Sequence, residues 1–404
     1  MAKKYKKSRF NYVNPSRQGY LIYNTLYNSL TRLSEEEYES YLSEGVSGGP
    51  CVGQLVAQGI LVDNETDELE QYNLYTYYAA KYMRSKPHIT VTPTMECNAR
   101  CFYCYEEGVR CGKMQEKDCA AILDFLNTLD CSRGIDLTWF GGEPLLNQEW
   151  MDSFSESLSA VGIEFSALLI TNGSKITDVT IDKMKNKWNV RDVQITLDGS
   201  YDEYTERKAY TDEDDTVYYK VLRSVGKMAN AGITVQVRMN VDRNNRESIL
   251  KAVEDIAELY KENNRVKCYP AFLTGSDSPL SEKEKIEFIK QMIETGNGKF
   301  NVNECLYRLP RTMACYYNQR DAYSIDVHGN VFICEHMLGH ENQSIGNVKS
   351  KVPFVVRELS GKREECQKCV FLPKCRGGCA DSLKQGEVPC FTDKYIIKAY
   401  LELL

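Results

Sequence analysis

The sequence predicts an α/β protein built on a partial (β/α)6 TIM-like barrel. A small winged-helix-like unit precedes the barrel and a cysteine-rich segment follows it. Three observations carry this. From His88 to about residue 300, strand-like and helix-like stretches alternate, as in βα units on a parallel sheet. Before that, short strand patterns flank two short helix patterns. Afterwards helical periodicity fades, and Cys, Gly and turn residues dominate through Cys390. The expected domains are 1–85, 86–300 and 301–404.

The composition suits this plan. The 404 residues allow roughly two to three domains with real cores. Hydrophobic residues make up 42% and charged residues 26%, ordinary values for a globular protein. No apolar run approaches the ~18 residues of a membrane span. The basic start, Met1 to Lys7, has no apolar signal core after it, so a cytoplasmic location is expected. The net charge of −7 argues against a general nucleic-acid binder, which needs a basic footprint.

In order along the chain, Tyr20 to Leu33 reads as one or two strands. Ser34 is a helix N-cap with Glu35, Glu36 and Glu37 in the first turn. Residues 45–50 form a turn, and 52–62 a short helix and then a strand. Barrel strands are expected at 88–94, 135–140, 165–171, 192–197, 233–239 and 265–271. Helices are expected at 116–129, 149–161, 176–188, 217–231, 246–262 and 282–294. Six units rather than eight predict an open barrel. Residues 324–331 read as a hairpin turning at Gly329, which brings Cys315 and Cys334 together. A terminal helix covers 393–404. The segment after residue 300 has too little apolar content for its own core and is expected to need bound metal.

Sixteen cysteines are too many for a chain whose thiols stay reduced, unless they serve metal or catalysis. Cys97, Cys101 and Cys104 follow the first barrel strand with Cys-x3-Cys-x2-Cys spacing. Three thiolates can hold three irons of a cubane and leave the fourth open to a chelating ligand. Structural zinc wants four ligands. Trp139-Phe140-Gly141-Gly142-Glu143-Pro144 ends the second strand. Its glycines admit a ligand close to the backbone, and Glu143 can accept from an ammonium. Thr171-Asn172-Gly173 and Thr196-Leu197-Asp198-Gly199 end the third and fourth strands. Four polar turns thus share one face of the sheet, where sites form in such folds.

These motifs resemble the radical S-adenosylmethionine (SAM) superfamily. Cys97, Cys101, Tyr103 and Cys104 match its Cys-x3-Cys-x-aromatic-Cys loop, and Gly141, Gly142, Glu143 and Pro144 match the turn that holds the methionine amino group. The resemblance implies that Asn172, Thr196, Asp198 and Arg207 sit near the methionine or ribose. It also implies a reduced [4Fe–4S] cluster, cleavage of S-adenosyl-L-methionine, and a 5′-deoxyadenosyl radical that abstracts hydrogen from substrate.

A second set runs Cys315, Cys334, Cys366, Cys369, Cys375, Cys379 and Cys390. By spacing alone, a zinc ribbon competes with iron–sulfur clusters. The set resembles the SPASM domain of radical SAM enzymes. That implies two further [4Fe–4S] clusters, three in all. Cys315, Cys334 and Cys379 would hold the first, with Cys305 as a candidate fourth ligand. Cys366, Cys369, Cys375 and Cys390 would hold the second. Glu335 follows Cys334, where relatives can carry a base. Cys51, Cys111, Cys119, Cys131 and Cys268 show no cluster spacing and read as small buried hydrophobes.

Enzymes with such a domain modify peptides or proteins. The prefix of about 90 residues resembles the unit that grips a leader peptide in ribosomal-peptide (RiPP) maturases, by adding a strand to a sheet edge. The expected function is therefore peptide maturation, installing a thioether of the sactipeptide or ranthipeptide type. Expected partners are a precursor peptide (leader plus core) and an electron donor such as flavodoxin or ferredoxin. Carbon–carbon cross-linking, epimerisation and formylglycine formation are alternatives within enzymes. A non-catalytic iron–sulfur electron carrier is the alternative outside them.

Overall fold

The computed structural model describes residues 4–43, 51–82, 86–109, 111–212, 214–273, 279–300, 315–350, 352, 362–380 and 390–404. The N-terminal unit holds β1 (Tyr5–Lys7), β2 (Asn11–Ser16), β3 (Gly19–Asn24), β4 (Ser29–Leu33), α1 (Glu35–Leu42), α2 (Val52–Ala57), β5 (Leu61–Asp63) and α3 (Glu68–Tyr82). β2, β3 and β4 form an antiparallel meander, and β1 pairs antiparallel with β5. Ser34 closes a capping box with Glu37 at the start of α1. Period two splits β3 between two cores: Ile22 packs with Leu33, Leu55 and Ile60, while Tyr23 joins the main core.

Six parallel strands follow in spatial order: β6 (His88–Thr94), β7 (Ile135–Gly141), β8 (Phe165–Thr171), β9 (Val190–Thr196), β10 (Thr234–Val241) and β11 (Val266–Phe272). Between them run α4 (Asp118–Leu126), α5 (Gln148–Ala160), α6 (Asp178–Asn186), α7 (Tyr201–Lys208), α8 (Val217–Asn230) and α9 (Arg246–Leu259), and α10 (Glu282–Thr295) follows β11. The expected strands and helices fall on these elements. The sequence reading did not anticipate α3, α7, β1 or β2. Among the described residues the sheet does not close on itself; β11 is its last strand on this side, bridged in parallel from Cys268 to Phe300.

At the other side, β12 (Ala322–Ile325) pairs parallel with β6. The hairpin expected at 324–331 is formed by β12 and β13 (Asn330–Phe332), and β14 (Gly346–Asn347) extends it. The cysteine-rich segment therefore supplies a seventh parallel strand. Its terminal helix, Thr392–Leu403, buries Ile396, Ile397 and Leu401 in the main core. It does not rely on metal alone for apolar burial.

The barrel strands have two unlike faces. Ile89, Val91, Leu137, Trp139, Val235 and Val237 point into the helix-covered core. The alternate positions on β9, β10 and β11 are Gln194, Thr196, Gln236, Arg238, Lys267 and Tyr269, all half-buried. By strand alternation these line the concave face, where Tyr269 Oη donates to Gln194 Oε1 at 2.6 Å. The lumen is polar along β9–β11, while Phe140 on β7 and Ile170 on β8 pack there with Phe332 and Met337. Among the described residues no helix is long and apolar enough to cross a membrane.

Candidate active site

The loop after β6 carries Cys97, Cys101 and Cys104, all half-buried. Burial pushes the Cys97 thiol up to about 11, and Glu143, Cys101 and Cys104 add to the shift. The three thiols thus feel one another across a short loop. The barrel pins that loop from behind. Arg100 N donates to Lys208 O at 2.8 Å and to Ala209 O at 3.1 Å. Asn172 Nδ2 donates to Asn98 Oδ1 at 2.9 Å, tying the loop to the end of β8.

Gly141 and Gly142 allow the next strand end to approach. Gly141 has φ +114°, and a Cβ there would lie 2.5 Å from Thr94 O. A Cβ on Gly142 would lie 2.3 Å from Glu96 O. No other residue type fits this cradle. It delivers Glu143, which is fully buried. Glu143 accepts from Thr171 Oγ1 at 2.7 Å, Asn172 N at 2.8 Å and Leu145 N at 3.1 Å. A carboxylate has about four lone-pair sites, so one remains for an ammonium. Burial raises its carboxyl pKa, opposed by those three donors and by Lys208.

At the end of β9, Asp198 is fully buried and accepts from Tyr103 Oη and from Asn240 N at 3.0 Å. Lys208 Nζ lies 3.0 Å from Asp198 Oδ2 and donates to Thr196 Oγ1 at 2.7 Å and to Tyr103 Oη at 3.0 Å. Burial works against the Lys208 charge, but Asp198 leads a set of neighbours that raise its pKa well above the ordinary value. Tyr103, Thr196 and Asp198 therefore meet, as the motifs imply, around a buried lysine that sequence reasoning missed. Arg207 pairs with Glu203 and with Asp242 Oδ1 at 2.9 Å, and its guanidinium lies 5.2 Å from the Phe102 ring centroid.

Glu335 is half-buried, and burial raises its carboxyl while Arg238 opposes the rise. Its neighbour His336 stacks on Tyr105 at 4.4 Å, the residue after Cys104. Glu335 thereby faces the lumen side of the cluster loop. Cys315 and Cys334 each precede a single 3-10 turn. The first turn puts Tyr316 on His88 at 3.4 Å, at the start of β6. The second follows Phe332, which pairs with Ser324. Cys315 thus sits by the start of β6, while Cys334 packs with Phe140 and Ile170 and leads into the His336 ring on Tyr105.

Cys366, Cys369, Cys375 and Cys390 line one cavity with Gly377 and Lys394. A hydrogen bond with Cys375 lowers the Cys390 thiol to about 6. Cys379 follows Gly377 and Gly378 and is half-buried. Cys305 lies outside the described residues. Among the described residues no three His, Cys, Asp or Glu side chains close on a single-ion geometry; the C-terminal four ring a space rather than a point. A ring of soft thiols suits a cluster. Of the remaining cysteines, Cys119 and Cys268 are buried as expected, Cys51 and Cys131 are half-buried, and Cys111 is exposed. Cys111 corrects the expectation: the turn after the cluster loop carries it to the surface.

MJ0907, an uncharacterized protein of Methanocaldococcus jannaschii, is 25% identical over 289 residues, covering 68% of this chain and 93% of that protein. Among solved structures, anSMEcpe with bound AdoMet and Cp18Cys peptide is similar, with TM-score 0.58 and 18% identity over 78% of this chain and 95% of that chain. Streptococcus suis SuiB bound to precursor peptide SuiA gives TM-score 0.54 and 15% identity over 96% of this chain and 98% of that chain. At these identities the likeness is one of fold. Residues 91–256 match the model of the radical SAM superfamily.

Proposed function

We propose that the chain is a radical SAM peptide maturase that installs a thioether in a ribosomally made precursor peptide. The observation that carries this is the polar lumen. It lies between the Cys97–Cys104 loop after β6 and Tyr316, next to Cys315, stacked on His88 at the start of β6, with Cys334 packed beside Phe140 and Ile170. A peptide segment in it would lie against both. The fold likeness to SuiB, solved with a precursor peptide, and to anSMEcpe, solved with a peptide, supports the substrate class.

In this reading Cys97, Cys101 and Cys104 hold the first cluster, and Glu143 holds the methionine ammonium. Tyr103, Thr196 and Asp198, braced by Lys208, and Asn172 shape the rest of the cofactor site. Cys315, Cys334 and Cys379, with Cys305 as the candidate fourth ligand, hold a second cluster. Cys366, Cys369, Cys375 and Cys390 hold a third. When bound, these groups supply hydrogen-atom abstraction and an electron acceptor. Joining sulfur to carbon removes a hydrogen atom, a proton and an electron from the peptide. Glu335 is placed to take the proton. The N-terminal unit captures the leader along a sheet edge, and a flavodoxin or ferredoxin delivers electrons.

The test is anaerobic incubation with reductant, S-adenosylmethionine and a short Cys-containing precursor peptide, sought first among the neighbouring reading frames. The expected product has lost two hydrogens and its free thiol, with 5′-deoxyadenosine formed alongside. A product that keeps its free thiol would move the reading to carbon–carbon cross-linking or epimerisation. An aldehyde in place of the thiol would move it to formylglycine formation. No 5′-deoxyadenosine on reduction would sink the enzyme reading altogether.

A further inference from the structure

The N-terminal unit reaches into the C-terminal cysteine site. Its side chains hold the backbone carbonyls of the segment between Cys366 and Cys375. Arg9 donates to Gln367 O, and Thr25 Oγ1 to Val370 O. Tyr72, on α3, donates to Leu372 O at 3.2 Å. Asn73 Nδ2 donates to Gln367 Oε1 at 2.7 Å. Beneath these bonds Phe10, Tyr72 and Leu372 form an apolar cluster with Cys366 at its edge. Tyr12 packs on Phe371 with ring centroids 5.0 Å apart.

Two cations flank Cys375. Lys374 and Arg376 are 2% and 5% exposed. A buried cation is costly unless something holds it. The holders come from the N-terminal unit: Lys374 Nζ donates to Asn28 Oδ1, and Arg376 bonds to the Tyr72 hydroxyl.

We propose that the N-terminal unit forms the outer shell of the four-cysteine site. Tyr72 and Asn28 are its positioning residues, setting Arg376 and Lys374 beside Cys375. This rests on reading Cys366, Cys369, Cys375 and Cys390 as iron–sulfur ligands. Charge and hydrogen bonding around a cluster tune its potential. Reduction adds negative charge, so two fixed cations favour the reduced form and raise the potential.

The experiment uses the full chain, reconstituted anaerobically, with Tyr72→Phe and Asn28→Gly variants. Glycine keeps the left-handed backbone of residue 28, whose φ is +59°. Iron per chain and the potential of every cluster, by EPR-monitored redox titration, are read together. The expected result is wild-type iron, about twelve per chain, with one potential lowered and the others unmoved. Lys374→Gln, which changes no residue of the N-terminal unit, is expected to lower the same potential even if the other two variants unfold. Full iron with every potential unchanged in all three variants would reduce the contact to packing and overturn the proposal. About four irons in the wild type would instead remove the cluster reading on which it rests.

Discussion

The two cysteine sites are braced in opposite ways. The Cys97–Cys104 loop is held by its own barrel: Asp198, Asn172 and the glycine cradle come from neighbouring strand ends, and the Lys208 carbonyl and ammonium from the end of α7. The Cys366–Cys375 segment is held from outside, by Arg9, Thr25 and Tyr72, more than 280 residues earlier in the chain. A site braced by a closed network of local strand ends is preorganised before any ligand arrives. A site braced by a distant unit inherits that unit's position and disturbances. The Cys97 end therefore behaves as a fixed fixture, and the C-terminal end as one that other parts of the molecule can adjust.

The hardest blow to this contrast is to empty the fixed end alone. A Cys97→Ala/Cys101→Ala/Cys104→Ala protein is expected to lose all 5′-deoxyadenosine formation while keeping about eight of about twelve irons. Iron assay and chromatography of the reduced reaction check this. Cleavage that persisted in the variant would detach these thiols from the chemistry. Loss of all the iron would show that the two ends are not separately built.

Lys208→Met comes next. It leaves Asp198, fully buried, without its counter-ion, and breaking a buried pair costs about 3–5 kcal/mol. Anaerobic denaturant titration is expected to show that loss, together with weaker S-adenosylmethionine binding. An unchanged midpoint would mean that the brace of the barrel site is not the lysine. Glu143→Gln is milder. Its three donors stay partly satisfied, but the charge facing the ammonium is gone. Hydrogen bonds to charged groups contribute about 1.5–3 kcal/mol, so the dissociation constant of S-adenosylmethionine is expected to rise about 10- to 100-fold, as equilibrium dialysis would show.

The same contrast explains what the sequence could disclose. The barrel site was legible because each of its parts is a short local motif at a strand end. Cys97, Gly141, Glu143, Asn172 and Asp198 announce themselves by neighbours in the chain. Lys208 was not legible. Helix α7 reads Tyr-Asp-Glu-Tyr-Thr-Glu-Arg-Lys, with no apolar stripe to mark a buried face. Only tertiary packing turns its last lysine inward. Helix α3 was hidden differently: its tyrosines lie on both faces, with Tyr75, Tyr78 and Tyr82 exposed. The seventh strand β12 could be read only as half of a hairpin, since its partner β6 is more than 220 residues away. The clamp on Cys366–Cys375 is non-local for the same reason.

The smallest expected effect tests the seam where the two regions meet. His88 opens β6, its amide donates to Asp321 O at 2.9 Å, and its ring lies on Tyr316, next to Cys315. Burial lowers its pKa to about 3, against about 6.5 in an unfolded chain. The ring is neutral in the native protein, while the unfolded chain takes up a proton below about pH 6.5. Its contribution to stability is therefore intact above that pH and falls as pH drops toward 3, at about 1.4 kcal/mol per unit at most. Between pH 6.5 and 5 the wild type is expected to lose up to about 2 kcal/mol more than His88→Gln, which cannot titrate there. Parallel acid limbs for the two proteins would mean that His88 is hydrated in solution and that the seam between barrel and C-terminal hairpin is open. A steeper wild-type limb would show the seam closed, with the His88 ring buried beside the β6–β12 pairing that joins barrel to C-terminal hairpin.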